Sequence, residues 1–230
     1  MISFVIPAHN EETLLGETLR ILRASAEQLG EPFEIIVVDD ASTDRTADVA
    51  RDAGALVERV EKRHIAATRN AGAKLARGDT LVFVDADTHV PPRTLELMRD
   101  ALRAGAVGGG ARYRFTAAPL WTRIAGNMIG AVLRLRSWAA GCFVFARRDA
   151  FEAVGGFDER YFAAEELVLS QALKRRGRMV IVEEPVLTSG RKAHLYTIRE
   201  SWEALWRIVI GGRGALKRRD QLTFWYDGRR

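Results

Sequence analysis

The chain has 230 residues, a length that favours a single domain. Hydrophobic residues make up 47% of it and charged residues 28%, which is typical of a globular protein and excludes collagen-like and disordered classes. The one cysteine, Cys142, excludes an intrachain disulfide, and the net charge of +5 is too mild to indicate a nucleic-acid-binding protein. We expect no signal peptide and no transmembrane helix, because the sequence shows no basic leader and no run of 18 apolar residues.

The first part of the chain alternates apolar, strand-like runs with helical patterns. The pattern predicts strands at 2–6, 34–38, 55–60 and 80–84, and helices at 15–29, 42–53, 65–76 and 92–104. Asn10 and Ser42 are predicted to cap the first two helices, and Gly30 to end the first. Alternating strands and helices with short connections predict an α/β fold with a mostly parallel central sheet flanked by helices.

The second part of the chain is less regular. Its patterns predict strands at 107–113, 141–146 and 179–182, helices at 122–135 and 165–176, and a turn at Gly155 and Gly156. Thr197 and Glu200 have the spacing of a capping box, which predicts a further helix near the C-terminus.

Polar residues follow each of the three strongest strands. The first strand leads into His9 and Glu11, the second ends at Asp39 and Asp40, and the third is followed by Asp85 and Asp87. The carboxyl ends of parallel strands meet at one edge of the sheet, which is where open α/β sheets bind ligands. Because crowded carboxylates repel one another, we expect a divalent cation or a donor-rich ligand among them.

Asp85 and Asp87 are the candidate metal ligands. Residues i and i+2 leaving a strand point to the same side, so their two carboxylates can hold a hard cation that bridges diphosphate oxygens. The alternative is an ordinary turn or helix-cap pair, because aspartate is common in loops.

Three further features have a functional and a structural interpretation. Asp39 and Asp40 are suited to hydrogen bonds with a ribose or a base, or to capping the next helix. Arg69, in a setting of small residues, either pairs with a phosphate or lies on a solvated face. Glu165 and Glu166, at a helix start, include a general base or merely complement the helix dipole.

His194 is a candidate ligand on weaker grounds. It follows Arg191 and Lys192 after a predicted strand, from which it could reach a metal ion or a diphosphate. The alternative is a structural histidine, which is the more common case for a lone histidine.

Four ordered motifs within residues 1–190 resemble those of the family-2 glycosyltransferases of GT-A fold. Residues 5–12 resemble the first-strand motif, with His9 where an aromatic residue is usual. Residues 37–46 and 67–72 resemble the second and third motifs, and residues 83–87 are similar to the metal-binding D-x-D sequence. Residues 155–159 are similar to the turn on the acceptor side.

The resemblance implies a Rossmann-like GT-A fold and an inverting hexosyltransferase. The donor would be a UDP- or GDP-sugar, the cofactor Mn²⁺ or Mg²⁺, and the acceptor a hydroxyl compound, with a lipid-linked acceptor as one option. It also implies a catalytic domain over residues 1–190, with a nucleotide-binding half at 1–105 and an acceptor-side half at 106–190. Residues 191–230 would add a helix and a basic, aromatic tail to the same domain, and the protein would be cytoplasmic.

The resemblance also implies roles for individual residues. The nucleotide would be held by Pro7, His9, Glu11, Asp39, Asp40, Arg69, Asp85 and Ala86. The metal would be held by Asp87, Asp85 and His194. The family's catalytic Glu-Asp pair falls on Glu165 and Glu166, so the expected aspartate is a glutamate, one methylene longer. Either Glu166 reaches as the aspartate would, or Glu165 shares the role of base.

Two other functions remain open from the sequence. A nucleotidyltransferase would more typically carry a glycine-rich basic loop near its N-terminus, whereas residues 7–12 are acidic. A nucleotide-sugar-binding module without activity would account for the unusual residue at position 166.

The C-terminal tail has two interpretations of its own. Its aromatic residues lie beside many arginines and lysines, so it either contacts an anionic membrane, at the inner face of the cell membrane, or packs on the sheet and covers the donor. We favour the packing interpretation.

Overall fold

The computed structural model describes residues 1–116, 118–191 and 216, and the elements below belong to that part of the chain. The strands are β1 (Ile2–Ala8), β2 (Phe33–Asp40), β3 (Leu56–Val60), β4 (Thr80–Val84), β5 (Thr88–His89), β6 (Gly108–Thr116), β7 (Phe143–Arg147) and β8 (Met179–Ser189). The helices are α1 (Leu15–Leu29), α2 (Thr46–Asp52), α3 (Ile65–Leu75), α4 (Pro92–Arg103), α5 (Leu120–Arg136), α6 (Arg148–Ala153) and α7 (Glu165–Lys174). The predicted helix at Thr197 lies outside the described residues.

The strands form one sheet in the order β3-β2-β1-β4-β7-β6-β8-β5. Strands β3, β2, β1 and β4 pair in parallel, as do β6 and β8, whereas β7 runs antiparallel to both of its neighbours and β5 antiparallel to β8. The predicted α/β fold with a mostly parallel sheet is therefore confirmed.

Helices cover both faces of this sheet, and each face has its own apolar core. One core joins α1 and α4 to the side chains of Phe4 and Ile6 on β1. The other joins α3, α6 and α7 to Val5 on the opposite face of the same strand. Burial on both faces explains why β1, β2 and β4 are mainly apolar in the sequence.

The N-cap predictions for Asn10 and Ser42 are wrong. Helix α1 begins at Leu15 with no side-chain cap, and α2 begins at Thr46. The Asn10 side chain instead accepts a hydrogen bond from the backbone N–H of Thr43 at 2.8 Å, and Ser42 Oγ accepts one from the N–H of Asn10 at 2.9 Å. The loops after β1 and β2 lie side by side, so these residues tie one loop to the other rather than cap a helix.

Several element bounds also differ from prediction. Strand β1 continues through Pro7, because β4 pairs with β1 only from Ile2 to Val5, and a proline beyond that pairing need not donate a hydrogen bond to β4. Strand β8 extends to Ser189, and the short elements α6 and β5 were not predicted. Gly30 ends α1 in the left-handed conformation, as predicted.

No helix in the described part of the chain is long and apolar enough to cross a membrane.

Candidate active site

The residues that follow β1, β2 and β4 converge at one edge of the sheet, as the sequence predicts. Strands β1 and β2 pair in register, with Ala8 opposite Asp39, so their ends coincide. His9 Nδ1 lies 2.6 Å from the carbonyl oxygen of Asp40, to which the ring N–H donates. This contact joins the end of β1 to the end of β2 at the edge of the sheet where the candidate site lies.

Asp39 is fully buried but only partly satisfied. Its Oδ1 accepts a hydrogen bond from the N–H of Ser42 at 3.1 Å. Arg59 Nε lies 3.1 Å from Oδ2, yet among the described residues no donor makes a hydrogen bond to that oxygen. The Arg59 side chain is 61% exposed and can swing away, which would leave Oδ2 as an acceptor for the N–H or O–H of a ligand.

Asp40 has a different environment from Asp39. Its carboxylate accepts hydrogen bonds from the backbone N–H groups of Lys62, Arg63 and His64 at 2.7, 2.7 and 3.1 Å. It also accepts one from Thr68 Oγ1 at 2.7 Å. Four donors occupy most of the acceptor positions of a carboxylate. Asp40 thus holds the segment that leads into α3. Both of its carboxylate oxygens already accept hydrogen bonds within the protein, whereas the sequence predicts that Asp40 contacts a nucleotide.

Arg69 lies at the centre of an acidic cluster, buried and 2% exposed. Its two terminal nitrogens donate to Glu165 at 2.6 Å, to Asp85 at 2.8 Å and to the carbonyl oxygen of Gly141 at 2.9 Å. Burial alone would lower the pKa of the guanidinium, but the surrounding carboxylates raise it overall. The sequence predicts that Arg69 holds the nucleotide. In the structure its guanidinium forms ion pairs with Asp85 and Glu165.

The two adjacent glutamates at the start of α7 differ in environment. Glu165 is buried and held by Arg69, whereas Glu166 is only partly exposed and faces Gly141. A Cβ atom placed on Gly141 would lie 3.5 Å from Glu166 Cδ, so a glycine there keeps the approach to that carboxyl open. Burial, followed by the charge of Glu165, raises the pKa of Glu166 to about 8.

Asp85 and Asp87 reach different partners across the turn after β4. Asp85 pairs with Arg69, while Asp87 Oδ1 accepts a hydrogen bond from Thr188 Oγ1 at 3.3 Å. Arg191 forms an ion pair with Glu11, and its Nε lies 3.9 Å from Asp87 Oδ2. Ala86, between the two aspartates, is buried. The Arg191 guanidinium therefore lies between Glu11, which the sequence assigns to the nucleotide, and Asp87, which it assigns to the metal.

The carboxylates suit a hard divalent cation, which prefers oxygen ligands. Within the described ranges, no three or more His, Cys, Asp or Glu side chains are arranged to hold an ion. His194, the third predicted ligand, lies outside the described residues. Pro7 lies at the end of β1 and is buried, with no polar group of its own toward the site.

Backbone strain is concentrated near this edge. Asn10, Ala41, Arg63 and Ala164 all have positive φ, between 47° and 58°, and each lies in a loop after a strand or at the start of a helix beside the site. Such conformations cost on the order of 1–2 kcal/mol for a residue with a Cβ atom and are common at functional sites. Ala164 immediately precedes the first turn of α7, which carries both glutamates.

Sequence reasoning misses two contributors to the site. The sequence offers Arg191 only as a neighbour of His194, whereas its pairing with Glu11 spans 180 positions of sequence. Gly141 is predicted as the start of a strand, although its carbonyl oxygen binds Arg69. Neither residue has a local sequence pattern that could have revealed these contacts.

Comparison with known proteins gives a consistent family. The model of the family described as "Glycosyl transferase family 2" matches residues 3–155. The chain is 33% identical over 174 residues to the undecaprenyl-phosphate 4-deoxy-4-formamido-L-arabinose transferase of Pseudomonas aeruginosa, and the match covers 70% of this chain and 51% of that protein. The chain thus spans about half the length of the curated relative.

Solved structures share the fold at lower identity. The mannosyltransferase PcManGT from Pyrobaculum calidifontis, in complex with GDP-Man and Mn²⁺, has a TM-score of 0.65 and 22% identity, with 94% of this chain and 62% of that one covered. TarS from S. aureus, in complex with UDP-GlcNAc, has a TM-score of 0.65 and 17% identity, with 98% and 70% covered. These similarities establish the GT-A fold.

Proposed function

We propose that this chain, which belongs to glycosyl transferase family 2, transfers a sugar from a nucleoside diphosphate sugar to an acceptor hydroxyl with inversion. The observation that carries the proposal is the pair at the start of α7. Arg69 holds Glu165 in place, and the neighbouring Glu166 is left partly exposed at the carboxyl edge of a nucleotide-binding type of sheet. A carboxyl with a raised pKa, placed there, suits a general base.

The donor nucleotide would bind across the ends of β1 and β2. Asp39 Oδ2, which accepts no hydrogen bond from the described residues, would accept an N–H from the base or an O–H from the ribose. His9 and Pro7 would form the surface beside it. Asp40 and Arg69 would act indirectly, without contacting the nucleotide. Asp40 would hold the loop before α3, and Arg69 would hold Asp85.

Asp87 is the residue we propose to hold Mn²⁺ or Mg²⁺, and both a fold neighbour and the donor chemistry support this choice. The mannosyltransferase from Pyrobaculum calidifontis was solved in complex with GDP-Man and Mn²⁺. A divalent cation, when bound, would neutralise the charge that develops on the leaving diphosphate. Arg191, which lies near Asp87 and Glu11, would yield its place to the cation or turn toward the diphosphate.

Glu166 would accept the proton of the acceptor hydroxyl while that oxygen attacks the anomeric carbon from the side opposite the diphosphate. Glu165 would keep Arg69 in place and is a positioning residue. A raised pKa makes a carboxylate a stronger base, which is useful against a hydroxyl. An acceptor phosphate, whose second pKa is near 6, would already be ionised and would need no such base.

The acceptor is inferred from the curated relative and from the chemistry of Glu166. The curated relative is named for undecaprenyl phosphate, a lipid carrier. We propose a lipid-linked acceptor here, and the raised pKa of Glu166 favours transfer to a hydroxyl of its head group rather than to a phosphate oxygen.

Calorimetric titration tests the donor site. UDP and GDP would be added to the wild type, Asp39→Asn and Asp87→Ala, each with and without Mn²⁺. The matched control is Asp52→Asn, at an exposed position on α2. We expect one nucleotide to bind with Mn²⁺, Asp39→Asn to weaken it about tenfold or more, and the control to bind normally. Failure of every nucleoside diphosphate to bind would refute the proposal.

Turnover distinguishes an enzyme from an inactive binding module. Release of nucleoside diphosphate from the donor that binds, in the presence of an acceptor extract, supports transfer. Binding without any release under conditions in which Glu166 is ionised would favour the inactive module.

A further inference from the structure

Helix α5 carries an apolar face that the described part of the protein does not cover. Nine large hydrophobic residues in that part are exposed, and six of them lie on this one helix of 17 residues. They are Leu120, Ile124, Met128, Ile129, Val132 and Leu135, with exposures from 52% to 83%. Scattered exposed apolar residues are ordinary, but a cluster of this kind marks an interaction surface.

The other side of α5 packs closely on the sheet. Its one buried residue is Gly126, and Tyr113 on β6 donates its O–H to the Gly126 carbonyl at 3.0 Å. A Cβ atom on Gly126 would lie 2.7 Å from the Phe115 ring, so a glycine is needed at that contact. Met128 is two positions from Gly126 and from Gly130, about 200° around the helix from each. Leu120, Ile124, Met128, Val132 and Leu135 therefore lie opposite the face that anchors the helix, and Ile129 lies at the edge of this apolar face.

The charge of this segment is one-sided. Between Asp100 and Asp149 the sequence contains no aspartate or glutamate and eight arginines, although the whole chain has a net charge of only +5. Three of the arginines, Arg123, Arg134 and Arg136, are on α5 itself and exposed. Arg134 forms an ion pair with Glu183 on β8 at 3.2 Å, so the basic border of the apolar face depends on Arg123 and Arg136. An apolar face bordered by basic residues, with no acidic ones in the helix, complements an anionic lipid surface.

Tryptophans lie at both ends of the helix. Trp121 is in its first turn and Trp138 follows its last turn, and both are partly exposed. The guanidinium of Arg136 lies 5.4 Å from the centroid of the Trp138 ring. Tryptophan is favoured at the boundary between lipid and water because its ring is apolar and its N–H is polar.

We propose that α5 lies in the surface of an anionic membrane, with its apolar face among the lipids and its arginines near the head groups. Both ends of the helix are tied to the candidate active site. Before it, the carbonyl oxygen of Thr116 accepts a hydrogen bond from the N–H of Gly190, next to Arg191. After it, Gly141 binds Arg69. A membrane-bound α5 would thus hold the site close to the lipid surface, where a lipid-linked acceptor lies; this last step rests on the proposed function.

Vesicle co-sedimentation of the full-length protein tests this surface. Vesicles of phosphatidylcholine alone would be compared with vesicles that also contain phosphatidylglycerol. The variant Ile124→Ser/Met128→Ser/Leu135→Ser removes exposed apolar groups, and Leu56→Ser/Leu75→Ser, at positions 50% and 45% exposed on β3 and α3, is the control. We expect the wild type and the control to bind the anionic vesicles and the triple variant to bind at least about tenfold more weakly.

A second variant keeps the test independent of any change in folding. Arg123→Gln/Arg136→Gln leaves the apolar face intact and should weaken binding to anionic vesicles about fivefold for each charge removed. Nucleotide titration of every variant should match the wild type, so a failure of this inference is separable from a failure of the donor site.

Three outcomes would overturn the inference. The first is a wild type that does not sediment with anionic vesicles. The second is a triple variant that binds them as well as the wild type, which would assign the contact to residues 192–230 instead. The third is a dimer in sedimentation velocity that the triple variant abolishes, without vesicle binding, which would make α5 a contact between two copies of the chain.

Discussion

The two halves of the molecule satisfy their buried carboxylates in different ways. Near β2, Asp40 receives three backbone N–H groups and one hydroxyl, all from a single short segment. Near α7, Glu165 shares one guanidinium with Asp85, and Glu166 stands beside them. The backbone donors to Asp40 fix a loop. One arginine shared among three carboxylates leaves an excess of negative charge, which adds to burial in raising the pKa of Glu166 and suits it to proton transfer.

The largest expected effect is the loss of turnover in Glu166→Gln. Removal of a general base costs about 10²–10⁴-fold in rate, whereas nucleotide affinity should be kept because the donor contacts lie at β1 and β2. Because the base acts when deprotonated, the wild-type rate should rise with pH toward about 8 and then level off. Rates measured over a pH range of about 6 to 9 check both points.

The control for this prediction is Glu27→Gln, at an exposed position on α1. It should keep the wild-type rate and pH profile. An unchanged rate in Glu166→Gln, or a pH profile that survives the substitution, would move the role of base to another residue.

Arg69→Ala should give the largest loss of stability. It leaves the carboxylates of Asp85 and Glu165 without their shared partner, and breaking a buried ion pair in this way costs about 3–5 kcal/mol of unfolding free energy. Urea denaturation measures the loss. Arg20→Ala, which breaks the exposed pair with Glu17, should change stability little. Similar small effects for both variants would contradict the central role given to Arg69.

The neighbouring aspartates at the end of β2 should separate binding from stability. Asp40→Asn weakens hydrogen bonds to the segment before α3 and should cost about 1–3 kcal/mol of unfolding free energy. Asp39→Asn should cost less stability and more nucleotide affinity, because Oδ2 of Asp39 accepts no hydrogen bond from the described residues. Denaturation and titration of both variants give the comparison, and a reversed pattern would exchange the two roles.

A further expected effect is a pH-dependent difference in stability between the wild type and Glu166→Gln. The pKa of Glu166 is raised from 4.5 in a free chain to about 8 in the fold, so the folded state binds its proton more tightly. Stability from this group is complete below pH 4.5 and is lost as pH rises toward 8. The variant should therefore gain stability relative to the wild type over a pH range of about 5 to 8, as denaturation at several pH values would reveal. A constant difference would mean that the pKa is not raised.

Much of the first half followed from local patterns. Residues at 2–6, 34–38 and 80–84 are mainly apolar because strands covered on both faces must be, and the predicted strands are present. Gly30 ends α1 because glycine adopts positive φ at little cost. The convergence of Asp39 and Asp85 at one edge followed from the parallel arrangement of the strands.

Other features depended on contacts between distant parts of the chain. The sequence offered Asn10 and Ser42 as helix caps, which is a local role, but two adjacent loops gave them closer partners in each other. The helical pattern of 122–135 was correct, yet the pattern alone does not tell which face of a helix is buried. Glycines at the contact with β6 decided that, and so turned the larger side chains outward.

The sequence by itself determined the class of fold, the edge of the sheet where the candidate site lies and the residue types available there, because these follow from hydrophobic periodicity and strand order. Only the tertiary structure decided that Arg69 serves Asp85 and Glu165, that Asp40 holds a loop and that Glu166 is the glutamate left partly open. The physical reason is that a hydrogen bond or ion pair depends on distance in space. The partners of Arg69 are separated from it by 16 and 96 positions in the chain, so no local pattern records them.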